Sequence, residues 1–214
     1  MTRISDRLTR LHPAATRVVS EKAADLRRQG RDVISLSTGE PDFVSPPAVM
    51  DAARAALEAG HTFYTPAAGL RELREEVAHY YGTRFGLDYS FDEVMIGSGG
   101  KPLLFEACAA LLNPGDEAII IAPAFVSYLE QVRFLDATPV VIETDPQTLD
   151  FALDDIRAAI TDRTRIIMLN APNNPSGRIY GDDLVIGLCE LAIEHDLTII
   201  NDEIYERIVF DGAE

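Results

Sequence analysis

Residues 113–143 read NPGDEAIIIAPAFVSYLEQVRFLDATPVVIE, and their pattern decides the fold. The stretch opens on a turn, Asn113-Pro114-Gly115-Asp116, because proline and glycine hold backbone angles that interrupt both helix and strand. Residues 117–122 form an isoleucine-rich apolar run, too short for a helix and bounded by turn residues, which predicts a strand. Helical spacing follows near residues 126–135, and residues 139–143 predict a second strand. Strand, helix and strand in this order make a crossover unit, which lays the two strands parallel.

Outward from this unit the alternation continues. Toward the C-terminus come a helix at 153–160, a strand at 165–170, a helix at 182–195 and a strand at 198–201. Toward the N-terminus, a strand at 94–97 leads into a helix at 101–112. Before it stand helices at 70–85, closed by Gly86, and at 46–59, with proline in the first turn and Gly60 past the end. A short strand candidate at 33–36 follows a helix at 14–28 and runs into a loop at 37–43. The expected fold is α/β, a mostly parallel sheet with helices on both faces. Its strands are unbroken apolar runs, as suits strands buried on both sides. One boundary is expected, near residue 47, between an irregular N-terminal arm (1–47) and the regular pattern of 48–214.

The 214 residues carry a formal net charge of -16, which argues against nucleic acid or an anionic membrane as partner. No apolar run is long enough to span a bilayer, and residues 1–30 lack the apolar core of a secretory signal. Cys108 and Cys189 both fall inside helical patterns and are expected to be buried thiols. Two such cysteines make neither a disulfide framework nor a metal site, so a cytoplasmic location is expected.

In an open α/β sheet, ligands bind where the strands end at their carboxyl side. After residues 94–97 comes Ser98-Gly99-Gly100-Lys101, opening a helix whose N–H groups can hold an anion such as phosphate. A tight turn that needs glycine explains the same residues equally well. After 117–122 comes Phe125, a flat ring that can stack on a flat ligand or simply join the core. After 165–170 comes Asn173-Asn174-Pro175-Ser176-Gly177, where Pro175 holds Asn174 extended and aims its amide, unless the asparagines only cap the turn. After 198–201 comes Asp202-Glu203-Ile204-Tyr205. A carboxylate at the end of a buried strand is costly without a cation, and a protonated ring nitrogen would be one. A helix cap or a solvated charge pair is the alternative for Asp202.

In chain order these groups resemble the fold-type I pyridoxal-phosphate (PLP) enzymes, and among them the class I/II aminotransferases, aspartate aminotransferase-like branch. The resemblance rests on Ser37-Thr38-Gly39-Glu40-Pro41-Asp42-Phe43, Tyr64-Thr65-Pro66-Ala67-Ala68-Gly69-Leu70-Arg71, Gly99-Gly100-Lys101, Asn113-Pro114-Gly115-Asp116, Asn173-Asn174-Pro175-Ser176-Gly177 and Asp202-Glu203-Ile204-Tyr205. It implies that backbone N–H groups around Gly99, Gly100 and Lys101 hold the PLP phosphate and that Phe125 stacks on the pyridine ring. Asp202 would pair with the ring nitrogen, while Asn174 and Tyr205 would hydrogen-bond the ring hydroxylate. Gly39, with Phe125 and Asn174, would lie against the substrate, and Tyr64 would reach the phosphate of a second subunit in a homodimer. Residues 1–47 would then be the N-terminal arm and small-domain segment, and 48–214 the PLP-binding large domain.

The resemblance also implies a lysine that anchors PLP covalently, beyond the Asp-x-x-Tyr stretch. The two lysines present, Lys22 and Lys101, do not match it, so the chain is expected to be the first part of the enzyme and inactive by itself. The reaction implied moves an amino group between an L-amino acid and a 2-oxo acid. A non-catalytic PLP-fold module, or a lyase or synthase of the same fold, shares these residues and stays open. Lys101 could meet the second carboxylate of an acidic substrate such as aspartate or glutamate, or serve only as a solvated lysine.

Overall fold

The computed structural model describes residues 3–9, 11, 15–37, 39–210 and 212. Thr38 of the loop at 37–43 and Ala14, the expected start of the first long helix, lie outside the described residues. The chain divides into two compact units, one of Met1–Ala14 with Gly99–Glu214 and the other of Ala15–Ser98.

The first unit holds the sheet. After a short helix α1 (Asp6–Thr9), and beyond the second unit, come α5 (Gly100–Leu111), β1 (Glu117–Ala122), α6 (Ser127–Phe134), β2 (Thr138–Glu143), α7 (Leu153–Ala159), β3 (Thr164–Asn170), α8 (Asp182–Glu194) and β4 (Thr198–Asp202). The strands lie in the order β2-β1-β3-β4, all parallel. Ile119 sits opposite Val140 on one side and Ile167 on the other, and Ile167 in turn meets Ile199.

Side chains alternate across a strand, so a continuous apolar run feeds two cores. Ile119, Ile121, Ile167 and Leu169 pack with Ile156, Leu188 and Leu191 of α7 and α8. Ala118, Ile120, Ile166 and Met168 pack with Cys108 of α5 and with Tyr128 and Val132 of α6. Helices therefore cover both faces, as the sequence predicts. The central strands β1 and β3 are almost wholly buried, whereas the outer β2 and β4 are half-exposed.

The order β2-β1-β3-β4 has a functional consequence. From β1 the chain moves outward to β2, then crosses back to β3 and continues the other way to β4. The carboxyl ends of β1 and β3 thus flank the point where the winding reverses, which is where an α/β sheet opens a crevice.

The second unit contains α2 (Ala15–Arg28), α3 (Pro47–Glu58), α4 (Arg71–Phe85) and a 3₁₀ turn at Phe91–Glu93. Proline opens α3, and Gly86, at φ 70°, closes α4 with its N–H bonded to the Gly82 carbonyl. The 3₁₀ turn has a reciprocal cap in which Ser90 N–H donates to the Glu93 carboxylate at 2.9 Å.

Three expectations fail. Residues 94–97 are not a strand: a strand exists only by pairing, and no ladder reaches them among the described residues. Their backbone is held instead by Ile96 N–H on the Ala68 carbonyl at 3.0 Å and by Arg74 Nε on the Val94 carbonyl at 2.8 Å. Residues 33–36 likewise join no ladder among the described residues, and Ile34 and Leu36 are exposed. Cys108 is buried as expected, but Cys189 lies on the exposed side of α8.

Candidate active site

Asp202 ends β4, and its carboxylate is gripped at both oxygens. The Tyr128 hydroxyl donates to Oδ2 at 2.6 Å, and Ile204 N–H donates to Oδ1 at 3.2 Å. Tyr128 is 2% exposed, seated in the core between α5, α6 and the sheet. Burial, then the bond to Asp202 and that residue's negative charge, push its phenol well above the usual range, so it keeps its proton and donates.

Asn170 ends β3 in the neighbouring position and is 4% exposed. Its Nδ2 donates to the Asp202 carbonyl at 2.7 Å, and its Oδ1 accepts Asn174 N–H at 2.7 Å. The turn beyond is closed on itself. Asn173 Oδ1 accepts from both the N–H and the hydroxyl of Ser176, and Gly177, at φ 71°, donates its N–H to the Asn173 carbonyl at 2.8 Å. The two asparagines therefore differ: Asn173 caps the turn, and Asn174 points its amide at the Tyr205 hydroxyl, 3.4 Å away.

Phe125 follows β1. Its ring meets Tyr128 edge to face, with centroids 5.6 Å apart and planes at 82°. The Lys101 ammonium lies 4.9 Å from the centre of the same ring. Lys101 stands in the first turn of α5, whose cap, Gly99, has φ 95° and ψ 163°, a conformation open to glycine alone. No side chain caps this helix and no acidic residue occupies its first turn, so its N–H groups remain available to an anion.

These groups line one open cleft of about 170 Å³. Gly100, Lys101, Phe125, Asn170, Asn174, Asp202 and Tyr205 are among the residues that line it. Of the residues that the sequence singled out, the structure brings together Gly100, Lys101, Phe125, Asn174, Asp202 and Tyr205, with Gly99 immediately before them. Gly39 and Tyr64 belong to the second unit, where both are exposed. Two members of the network were not foreseen. Tyr128 stands one helical turn beyond Phe125, and Asn170 is the polar last residue of an apolar strand, the same position that drew attention to Asp202. A larger cleft of about 850 Å³ runs along residues 172–182, but its guanidinium, Arg178, is spent on a two-point ion pair with Asp150.

A doubly wound sheet with a cleft at its reversal point occurs in several α/β classes, and the superpositions below place this one with the large domain of the fold-type I transferases. The family model described as aminotransferase class I and II matches residues 31–214, and the chain belongs to that family. It is 44% identical to the aspartate/prephenate aminotransferase of Thermus thermophilus, over 99% of this chain and 55% of that protein. It is 37% identical to the asparagine–oxo-acid transaminase of Streptococcus mutans, over 100% of this chain and 55% of the relative. Among solved structures, the aspartate aminotransferase from Thermus thermophilus with maleate superposes with a TM-score of 0.95 at 43% identity, over 99% of this chain and 56% of that one. The alanine aminotransferase from Pyrococcus furiosus superposes with a TM-score of 0.93 at 33% identity, over 98% and 54%. The chain thus spans about half the length of the curated relatives that it matches.

Proposed function

We propose that this protein is a pyridoxal-phosphate-dependent aminotransferase, moving an amino group between an L-amino acid and a 2-oxo acid. The observation that carries the reading is Asp202, whose carboxylate faces a cleft shared with an aromatic face, an amide, a phenol and an open helix N-terminus.

This set of groups fits PLP. A carboxylate has about four acceptor positions. Tyr128 and Ile204 fill two of those on Asp202, which leaves acceptors for one cationic ring N–H. Phe125 supplies a face for stacking, and the Tyr205 hydroxyl and Asn174 amide supply donors for a ring oxyanion. The N–H groups that open α5 suit a phosphate. Bound PLP supplies an electron sink that stabilises negative charge left when a proton departs from the substrate's α-carbon. Asp202 holds the proton on the ring nitrogen that makes this possible, in a site where electrostatic interactions are strong.

The substrate assignment is an acidic amino acid such as aspartate or glutamate, supported by the Lys101 ammonium in the cleft and by the aspartate-directed names of close relatives. A homodimer is the proposed assembly, supported by exposed apolar groups in the second unit, including Leu36, Phe43 and Phe63. A cytoplasmic location is supported by two free cysteines, one of them exposed. Among the described residues, no helix is long and apolar enough to cross a membrane.

The test is to purify the full-length gene product with PLP and supply aspartate and 2-oxoglutarate. Oxaloacetate and glutamate formed in equal amounts support the reading. Release of ammonia with no amino transfer to any oxo acid would instead mean a lyase of the same fold, and no bound PLP would mean a non-catalytic module.

A further inference from the structure

We infer that Tyr128 is the positioning residue of the cleft, holding the Asp202 carboxylate and the Phe125 ring in one arrangement. The inference deepens the PLP reading and rests on it for the ligand.

Tyr128 has one polar atom, and that atom is used entirely on Asp202, at 2.6 Å. The rest of the side chain sits in the core with Cys108, Leu112, Ile120 and Val132, so the hydroxyl has no freedom to move without unpacking it. With Ile204 N–H on the other oxygen, the two donors fix the rotation of the carboxylate about its own bond. Its remaining acceptors are thereby aimed at the cleft before any ligand arrives. The same ring meets Phe125 in a T-shaped pair, at 5.6 Å and 82°, which restrains the plane of the Phe125 ring. One buried side chain thus sets both the charge and the stacking surface.

A structural tyrosine and a positioning tyrosine predict different behaviour. Tyr128→Phe keeps the ring and removes only the hydroxyl. The bond exists before the ligand arrives, so its loss acts through the ordering of the Asp202 side chain, and PLP affinity of the full-length protein is expected to fall about three- to tenfold. In an Asp202→Ala background, Tyr128→Phe is expected to change PLP affinity less than about twofold, because the group through which it acts is gone. Equal effects in both backgrounds would make Tyr128 a packing residue and overturn the inference.

A second measurement needs no ligand. In the apoprotein, the Tyr128 hydroxyl proton should give a slowly exchanging low-field NMR resonance, absent from both Tyr128→Phe and Asp202→Ala. A wild-type protein with this resonance that fails to bind PLP would sink the PLP reading and leave the Tyr128–Asp202 coupling standing. A wild-type protein without it would sink the coupling, whatever its affinity for PLP.

Discussion

Asn170 and Asp202 are joined side chain to backbone: Nδ2 of Asn170 donates to the Asp202 carbonyl at 2.7 Å. The other end of the same amide accepts Asn174 N–H, so one buried residue ties together the two loops that present Asn174 and Asp202. Asn170→Ala leaves Asn174 N–H without its acceptor, while the Asp202 carbonyl keeps the bond from Ala171 N–H at 3.3 Å. A buried unsatisfied group costs about 1–3 kcal/mol, so a loss of that size is expected in urea unfolding of the full-length protein. A loss below about 0.5 kcal/mol would show that water replaces the amide.

Asp202→Ala is expected to slow amino transfer far more than Phe125→Ala. In the proposed reading the carboxylate faces a cationic ring nitrogen held by preorganised protein groups, where electrostatic contributions are large. Stacking adds only about 0.5–1.5 kcal/mol beyond the burial of area. The rate at which an amino acid changes the absorbance of the loaded enzyme measures both variants. A Phe125 variant slower than the Asp202 variant would reverse the assignment.

Much of this frame was legible before the structure, and the parts that were not share a cause. Residues 117–122 and 165–170 announce themselves because a central strand is apolar along its whole length. Residues 94–97 look the same, but pairing belongs to two segments and no single segment reveals it. Tyr128 and Asn170 stayed hidden for the same reason, since their partners lie 74 and 32 positions away. Cys189 illustrates a finer limit. It shares a helix with buried Leu188, Leu191 and Ala192, and one step along a helix turns a side chain by about 100°, here toward solvent.

Glu117 makes a pH-dependent contribution at the amino end of β1, the opposite end of the strand from the cleft. A bond from the Thr161 hydroxyl at 2.6 Å, then the Arg163 guanidinium and Thr164, hold its carboxyl below the usual range against the opposing effect of burial. The folded state therefore favours the ionised form. The stabilisation is complete above the ordinary carboxylate value near 4.5 and fades as pH falls through the lower folded value. Glu117→Gln should lower stability at pH 7 by about 1–3 kcal/mol and remove part of the loss on acidification. Chemical denaturation at pH 7, 5 and 3.5 checks it; parallel pH curves for wild type and variant would refute it.

Gly69 and Gly60 separate two costs of adding a methyl group. Both have positive φ, 100° and 79°, so alanine at either is strained by about 1–2 kcal/mol. At Gly60 the new atom meets nothing within 4 Å, whereas at Gly69 it comes within 2.7 Å of Ile96 Cβ. Gly69→Ala should therefore lower the melting temperature clearly more than Gly60→Ala, and equal shifts would show that residues 94–97 yield easily.

The bond between Tyr128 and Asp202 also sets a timetable for synthesis. The tyrosine leaves the ribosome 74 residues ahead of the carboxylate to which its hydroxyl donates. At about 5–20 residues per second, that is roughly four to fifteen seconds in which a phenol bound for the core has no acceptor there. Until then the Tyr128 hydroxyl, which borders the open cleft, has water as its acceptor. The edge strand, last of the four to emerge, replaces that water, so the carboxylate that completes the cleft also ties the last-made strand to the first-made part of the sheet.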